Sequence, residues 1–202
     1  MTRQLTSEAP SRVTALRAQG FRNLQPLLFQ PGPHFNVIHG DNGAGKSNLL
    51  EAIHYLGALK SFRGAKTDDL VALDADRAVL EAALDGGPAP HKLRVEIGRA
   101  QRRQLQLDGK RPRSTSAWFQ TVRMVLFHPG DLVLASGSAD KRRAFVDRML
   151  EQMDPIYSST LASYDKALRS RNRLLKEERV DRRSIQAFDA ILSKSGAVVG
   201  QA

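Results

Sequence analysis

The sequence predicts an α/β lobe built around a phosphate-binding loop and an antiparallel β-meander, followed by an α-helical lobe. Three observations carry this expectation. Residues Gly40 to Ser47 read Gly-Asp-Asn-Gly-Ala-Gly-Lys-Ser, between a short apolar run and an amphipathic helix pattern. An apolar run at 79–84 and two alternating apolar/polar runs, separated by turn residues, fall within residues 79–107. Beyond Ser138, apolar residues recur at helical spacing almost to the end of the chain. We therefore expect a polar leader over residues 1–12, a nucleotide-binding lobe over 13–132 and a helical lobe over 133–202.

Taken in order, residues 13–39 read as strands broken by turns. Gln30-Pro31-Gly32-Pro33 separates Leu27-Leu28-Phe29 from Phe35-Asn36-Val37-Ile38-His39, which is expected to form a buried strand feeding the loop. Leu49, Leu50, Ile53, Leu56 and Leu59 then place a helix over 46–60. Residues 61–76 are polar and irregular. Val79 to Leu84 reads as a strand, ended by Gly86-Gly87-Pro88-Ala89-Pro90. Leu93, Val95 and Ile97 alternate with Arg94 and Glu96, and Leu105 and Leu107 alternate with Gln104 and Gln106 before the hairpin pair Asp108-Gly109. Val122 to Phe127 reads as a further apolar strand. Ser138 is a candidate N-cap. Phe145, Val146, Met149, Leu150 and Met153 form one apolar stripe. Tyr157, Leu161, Tyr164, Leu168 and Leu175 form a second, and Ile185, Phe188, Leu192 and Val199 a third, after a charged break at Lys176 to Arg183. The last two stripes predict an antiparallel helical hairpin, too short for a long coiled coil.

The chemistry of the loop follows from its residue types. Gly40, Gly43 and Gly45 allow the backbone to close around a polyphosphate, and the amides and helix start direct partial positive charge at it. Asp41, Asn42 and Ala44 supply the remaining loop backbone. Lys46 adds a point charge for the outer phosphates, and the Ser47 hydroxyl is a hard ligand suited to Mg²⁺.

Composition narrows the classes. A chain of 202 residues with 41% hydrophobic and 26% charged residues can bury a core. It contains no apolar run of membrane-spanning length and no signal-peptide pattern, so a cytoplasmic protein is expected. With no cysteine, thiol catalysis and cysteine metal sites are excluded. The five histidines form no spaced ligand pair. The net charge of +10 is uneven: residues 91–123 hold nine Lys or Arg against two acids. A basic excess outside the nucleotide loop points to a second polyanion, most simply nucleic acid.

Two further segments imitate ATPase motifs. Leu70-Val71-Ala72-Leu73-Asp74 looks like the apolar strand whose terminal acid holds Mg²⁺. However, Asp68 and Asp69 precede it, and it directly follows the first helix. Ser136-Gly137-Ser138 resembles part of a transport-ATPase signature, but helix capping accounts for it.

Several blocks together resemble the RecF family of bacterial recombination proteins. They are Phe21-Arg22-Asn23, the loop with Asn48-Leu49-Leu50-Glu51-Ala52-Ile53, and Lys60-Ser61-Phe62-Arg63. Phe127-His128-Pro129-Gly130-Asp131-Leu132, Arg142 to Asp147, Tyr164 to Leu168 and Arg171 to Lys176 complete the match. The resemblance runs from about residue 13 to the last residue. It implies an ATP-binding-cassette-like head similar to those of SMC-type proteins, with ATP and Mg²⁺ as cofactors. It also implies two heads that sandwich ATP and clamp DNA, weak DNA-stimulated ATP hydrolysis, and action at gaps and single-strand/double-strand junctions. RecO and RecR are the implied partners, in replication-gap repair, recombinase loading and the SOS response. Two departures accompany the match. Gly130 stands where the family usually carries glutamate. The signature motif and the acid-ending strand lie further on in the family, so the head is expected to be incomplete here and not to turn over ATP alone.

Candidate DNA contacts are Arg94, Arg99, Arg102, Arg103, Lys110, Arg111 and Arg113 in the meander region, and Arg142, Arg143, Arg169 and Arg173 in the helical lobe. No catalytic residue is assigned. The competing readings are a phosphate-loop phosphotransferase acting on a small molecule and a DNA-binding scaffold independent of ATP.

Overall fold

The computed structural model describes residues 11–122, 124–132, 134, 137–177 and 181–201. The first ten residues of the expected leader, and Ser136 of the signature-like scrap, lie outside them. The chain divides into two compact units. One comprises the residues up to Arg113 together with Val122–Leu126; the other comprises Ser114–Thr121 and the residues from Phe127 onward. The second unit thus includes Ser114–Thr121 and residues 127–132, which precede the expected 132/133 boundary.

Five strands form the sheet of the first unit: β1 Arg12–Gln19, β2 Leu27–Phe29, β3 Arg77–Asp85, β4 His91–Gly98 and β5 Gln104–Leu107. All are paired antiparallel, in the order β2-β1-β3-β4-β5. The alternation of residue types produces this sheet, because register sends every second side chain to one face. Leu16, Ala82, Leu93 and Leu107 fall in one row across four strands, and Ala18, Leu80, Val95 and Leu105 in the next. Against this face lies helix α1, Lys46–Ala58, which packs on β3 and β4 and buries Ala52, Tyr55 and Leu56. The meander therefore forms as its pattern predicts. At its far end Asp108 and Gly109 adopt φ of +53° and +75°, the left-handed pair that a two-residue hairpin turn requires.

Two expected strands do not form. Residues 35–39 have no ladder partner, and Phe35 and Val37 are 97% and 86% exposed. Val122 and residues 124–127 are likewise irregular, with Val125 97% exposed, and Arg123 of that expected strand lies outside the described residues. An apolar run becomes a strand only when another backbone supplies its hydrogen bonds, and among the described residues neither run has such a partner. Within the first unit Met124 packs against Gly57 of α1, where a Cβ would lie 2.8 Å from the Met124 Cβ.

The second unit is helical: α2 Thr115–Thr121, α3 Ala139–Met153, α4 Pro155–Leu174 and α5 Arg182–Val199. The pattern did not lead us to expect α2. It is short, packs on α3 and α4, and buries Trp118 and Phe119. Its start carries a legible signal, since the Ser114 hydroxyl accepts from the Ala117 amide at 3.1 Å. Asp154 and Asp181 cap α4 and α5 in the same way. Ser138 occupies the N-cap of α3, but its hydroxyl makes no capping bond. The apolar stripe of α3 splits. Phe145 and Leu150 are partly covered, whereas Val146, Met149 and Met153 are exposed.

Helices α4 and α5 form the expected hairpin. Arg171 Nε bonds Asp189 Oδ1 at 2.5 Å, and seven residues earlier in α4 Tyr164 lies over Gly196, seven residues later in α5. Opposite displacement along the two helices means antiparallel packing. At Gly130, in the 3-10 turn Pro129–Leu132, a Cβ would sit 2.3 Å from His128 Cε1. The His128 Nδ1 accepts the Gly130 amide at 2.9 Å. Any side chain at 130, glutamate included, requires the His128 ring to swing aside.

The close approach at Gly196 is testable. A Cβ there meets the Tyr164 ring at 3.3 Å, so Gly196→Ala gains helix propensity against a tight contact and stays near neutral. Gly196→Leu overpacks the hairpin and lowers unfolding free energy by about 1–3 kcal/mol in urea titration.

Candidate functional site: the phosphate loop and its supports

The loop of residues 40–47 closes because three glycines take backbone angles that other residues resist. Gly40, Gly43 and Gly45 have φ of +143°, +85° and +91°. Between them the Ala44 amide donates to the Asp41 carbonyl at 3.2 Å, making a tight turn. Gly45 is the N-cap of α1, and Lys46 is its first helical residue. The first-turn amides of a helix lack intrahelical acceptors, and no acidic residue stands in this turn to neutralise them. Lys46 Nζ donates to the Gly40 and Asp41 carbonyls, each at 2.7 Å, which leaves one of its three donors. Ser47 is exposed beside it. Such a cradle can grip an anion of several oxygens through backbone amides, one ammonium and one hydroxyl.

The turn Phe21-Arg22-Asn23-Leu24 holds the loop from beneath. Phe21 is buried, and Arg22 adopts φ +53° while its amide donates to the Leu70 carbonyl. Arg22 Nε and Nη2 then fork onto the two oxygens of Glu51, at 3.0 and 3.1 Å. Glu51 is 0% exposed. Its Oε1 also accepts from the Ser61 hydroxyl, and Arg63 Nη1 lies 3.6 Å from its Oε2. Asn23 Nδ2 donates to the Gly43 carbonyl at 3.0 Å. Gly45 is favoured by its φ, and a Cβ there would press on the Leu24 Cδ2 methyl at 2.9 Å, which would have to turn aside. Composition does not reveal these roles; Phe21-Arg22-Asn23, Glu51 and Ser61-Phe62-Arg63 entered the sequence reading only as matched blocks.

Burial alone would raise the Glu51 carboxyl, but hydrogen bonds from Arg22 and Ser61 and the charges of Arg22 and Arg63 hold it below its ordinary value of 4.5.

The basic candidates separate by what their side chains already hold. Arg94 pairs with Glu81 and, at 3.2 Å, with Glu96. Arg99 Nη2 donates to the Val71 and Ala72 carbonyls at 3.3 and 2.7 Å. Arg103 donates to the Leu59 carbonyl at the end of α1, where a cation complements the helix dipole. These three brace the fold. Arg102, Lys110, Arg111 and Arg113 are exposed, with no ion pair among the described residues. Arg102 precedes β5 and Lys110 follows it, so the two stand at opposite ends of that strand. In the helical unit, Arg142 donates to the Gly137 carbonyl and Arg143 pairs with Asp140, while Arg169 and Arg173 are exposed on α4. Asp74 is exposed in a turn beside Leu73, which is 99% exposed, and does not end a strand. Among the described residues no three His, Asp or Glu side chains gather as a metal site, and no helix is long and apolar enough to cross a membrane.

Two outcomes follow for Glu51. Replacing Arg22 by Met leaves a buried carboxylate short of its main partner and costs about 3–5 kcal/mol in chemical denaturation. Because the native carboxyl ionises at lower pH than the unfolded one, its contribution is complete above about pH 4.5 and is lost as pH falls through the depressed native value. Glu51→Gln should therefore flatten the acid side of a stability-against-pH curve.

Residues 12–118 match the family model described as RecF/RecN/SMC N terminal domain. The DNA replication and repair protein RecF of Myxococcus xanthus (strain DK1622) is 36% identical over 187 residues, covering 92% of this chain and 49% of that protein. The protein of the same name from Halalkalibacterium halodurans is 37% identical over 165 residues, covering 82% of this chain and 44% of its own length. A solved structure of the recombination mediator protein RecF with ATP, from the RecFOR pathway, superimposes with a TM-score of 0.89 at 27% identity. That superposition covers 99% of this chain and 54% of the other. The chain thus spans about half the length of the relatives it matches. With its sheet, loop and helical unit all shared with these proteins, the chain belongs to the RecF/RecN/SMC N-terminal domain family, on its RecF branch.

Proposed function

We propose that this chain is the ATP-gripping part of a RecF-type head that works in DNA replication and repair. The observation that carries the reading is the loop itself: glycines at positive φ, a lysine opening the helix, and a first turn free of acids. Gly40, Asp41, Asn42, Gly43, Ala44 and Gly45 would wrap the phosphates with their backbone, and Lys46 would pair with the outer ones. ATP enters as Mg²⁺-ATP, and Ser47 is the residue that would meet the metal. When bound, the metal neutralises charge between the outer phosphates. A phosphotransferase reading has no such specific support, because the relatives at 36% and 37% identity are named for DNA replication and repair.

Hydrolysis needs a metal-holding acid and a group that orients water. Asp74, the acid that follows an apolar run, stands in an exposed turn. The chain alone therefore binds ATP without steady turnover. DNA is the second ligand, as a gap or single-strand/double-strand junction. Lys110, Arg111 and Arg113 are its first contacts, because they are adjacent, exposed and unpaired among the described residues. In a complete head, ATP would bring two copies together over DNA, with RecO and RecR as partners, in cytoplasmic gap repair and the SOS response.

Two measurements test this. Calorimetric titration with Mg²⁺-ATP should give binding that Lys46→Ala weakens at least tenfold, without steady phosphate release. Release abolished by Lys46→Ala would refute the non-hydrolysing reading. In gel shifts on gapped DNA with and without ATP, the triple change Lys110→Ala, Arg111→Ala, Arg113→Ala should weaken binding. It should also make the log–log salt dependence shallower by about two to three, through lost counterion release. ATP-independent binding would favour the scaffold reading.

A further inference from the structure

The loop is tied to the buried carboxylate by a second route, made of side chains that touch no core. Arg63 Nη1, 3.6 Å from Glu51 Oε2, donates to Asn48 Oδ1 at 2.7 Å. Asn48 Nδ2 donates to Asn23 Oδ1 at 2.6 Å, and Asn23 Nδ2 donates to the Gly43 carbonyl at 3.0 Å. Every donor in this series points the same way, from the charged end toward the loop, so each bond polarises the next.

The place where the series ends is informative. The peptide joining Gly43 to Ala44 has Gly43, at φ +85°, on one side and Ala44 on the other, with Gly45 at φ +91° one residue further on. With no Cβ on Gly43, rotation of this plane about its Gly43 side meets little steric restraint. It is planar, so its carbonyl and its amide turn together. Its amide is held by the Asp41 carbonyl at 3.2 Å and its carbonyl by Asn23 at 3.0 Å. Fixing that plane fixes the directions in which the neighbouring loop amides face.

We propose that Asn23 is a positioning residue for nucleotide binding, holding the Gly43–Ala44 peptide through a relay that runs from Arg63 through Asn48. Asn23 makes no contact with the phosphates in this scheme; it acts by preorganising the backbone that does, which lowers the ordering cost of binding. The inference rests on the nucleotide-binding reading of the loop. Arg22 and Ser61 hold Glu51 independently, so the relay can be cut without exposing the buried charge.

The test uses the whole chain and two readouts. Asn23→Ala and Asn48→Ala are made singly and together, with affinity for Mg²⁺-ATP measured by calorimetry and amide exchange followed at residues 41–46 without nucleotide. Asn23→Ala should weaken binding about three- to tenfold, the range expected for one lost hydrogen bond. It should speed exchange of the Ala44 amide while leaving the thermal midpoint within a degree or two, because Asn23 is exposed. Asn48→Ala should do the same more weakly, and the double variant should be no worse than Asn23→Ala, since both cut one series. Additive losses, or unchanged exchange at Ala44 in folded Asn23→Ala, would overturn the relay. If the unaltered chain binds no nucleotide, the functional reading fails, and the exchange measurement still decides whether Asn23 holds the loop.

Discussion

The fork of Arg22 onto Glu51 is the constraint on which the rest of the first unit depends. Glu51 lies in α1 with no access to water, a position that a carboxylate can hold only when its charge is met. Arg22 comes from the turn after β1, so the pair joins the sheet to the helix that carries the loop. Replaced by apolar groups of equal volume, such a pair would cost little; halved, it leaves a charge stranded. Its consequence is geometric. Because a bidentate guanidinium accepts one orientation of the carboxylate, α1 can sit on β3 and β4 in only one rotation about its axis.

That rotation places the start of α1, and with it the loop. Residues 21–24 act as a single footing, with Phe21 in the core, Arg22 on Glu51, Asn23 on the Gly43 carbonyl and Leu24 beneath Gly45. Ser61 and Arg63 approach the same carboxylate from the far end of α1. Both ends of the helix are thereby referred to one buried point. The loop at its N-terminus gains rigidity from groups that lie outside the loop motif.

The charge distribution has a similar division. A run of nine Lys or Arg between residues 91 and 123 reads as one basic surface, yet its members do different things. Arg94 is held across the sheet by Glu81 and Glu96, Arg99 closes a turn, and Arg103 ends α1. The basic side chains without such partners among the described residues are fewer, and their densest group follows the Asp108-Gly109 turn.

Elements whose cause is local can be read from residue order alone. Alternation with period two made β4 and β5, an apolar run ended by a Gly-Pro turn made β3, helical spacing made α1 and the α4–α5 hairpin, and glycine spacing with Lys46 and Ser47 marked the loop. Each depends on residues a few positions apart, so each is legible in one dimension. The remainder depends on contacts between distant parts of the chain. Residues 35–39 and 124–127 have strand composition and form no strand, because pairing needs a distant backbone that composition cannot supply. Helix α2 went unread because seven residues are too few to display a period. The supports of the loop are hidden in the sequence for a related reason: Arg22, Asn23, Asn48, Glu51 and Arg63 span 42 positions and meet only when the helix docks. Which arginines are spent on carbonyls and which stay free is likewise settled by folding, since charge is a property of the residue and its partner is a property of the fold.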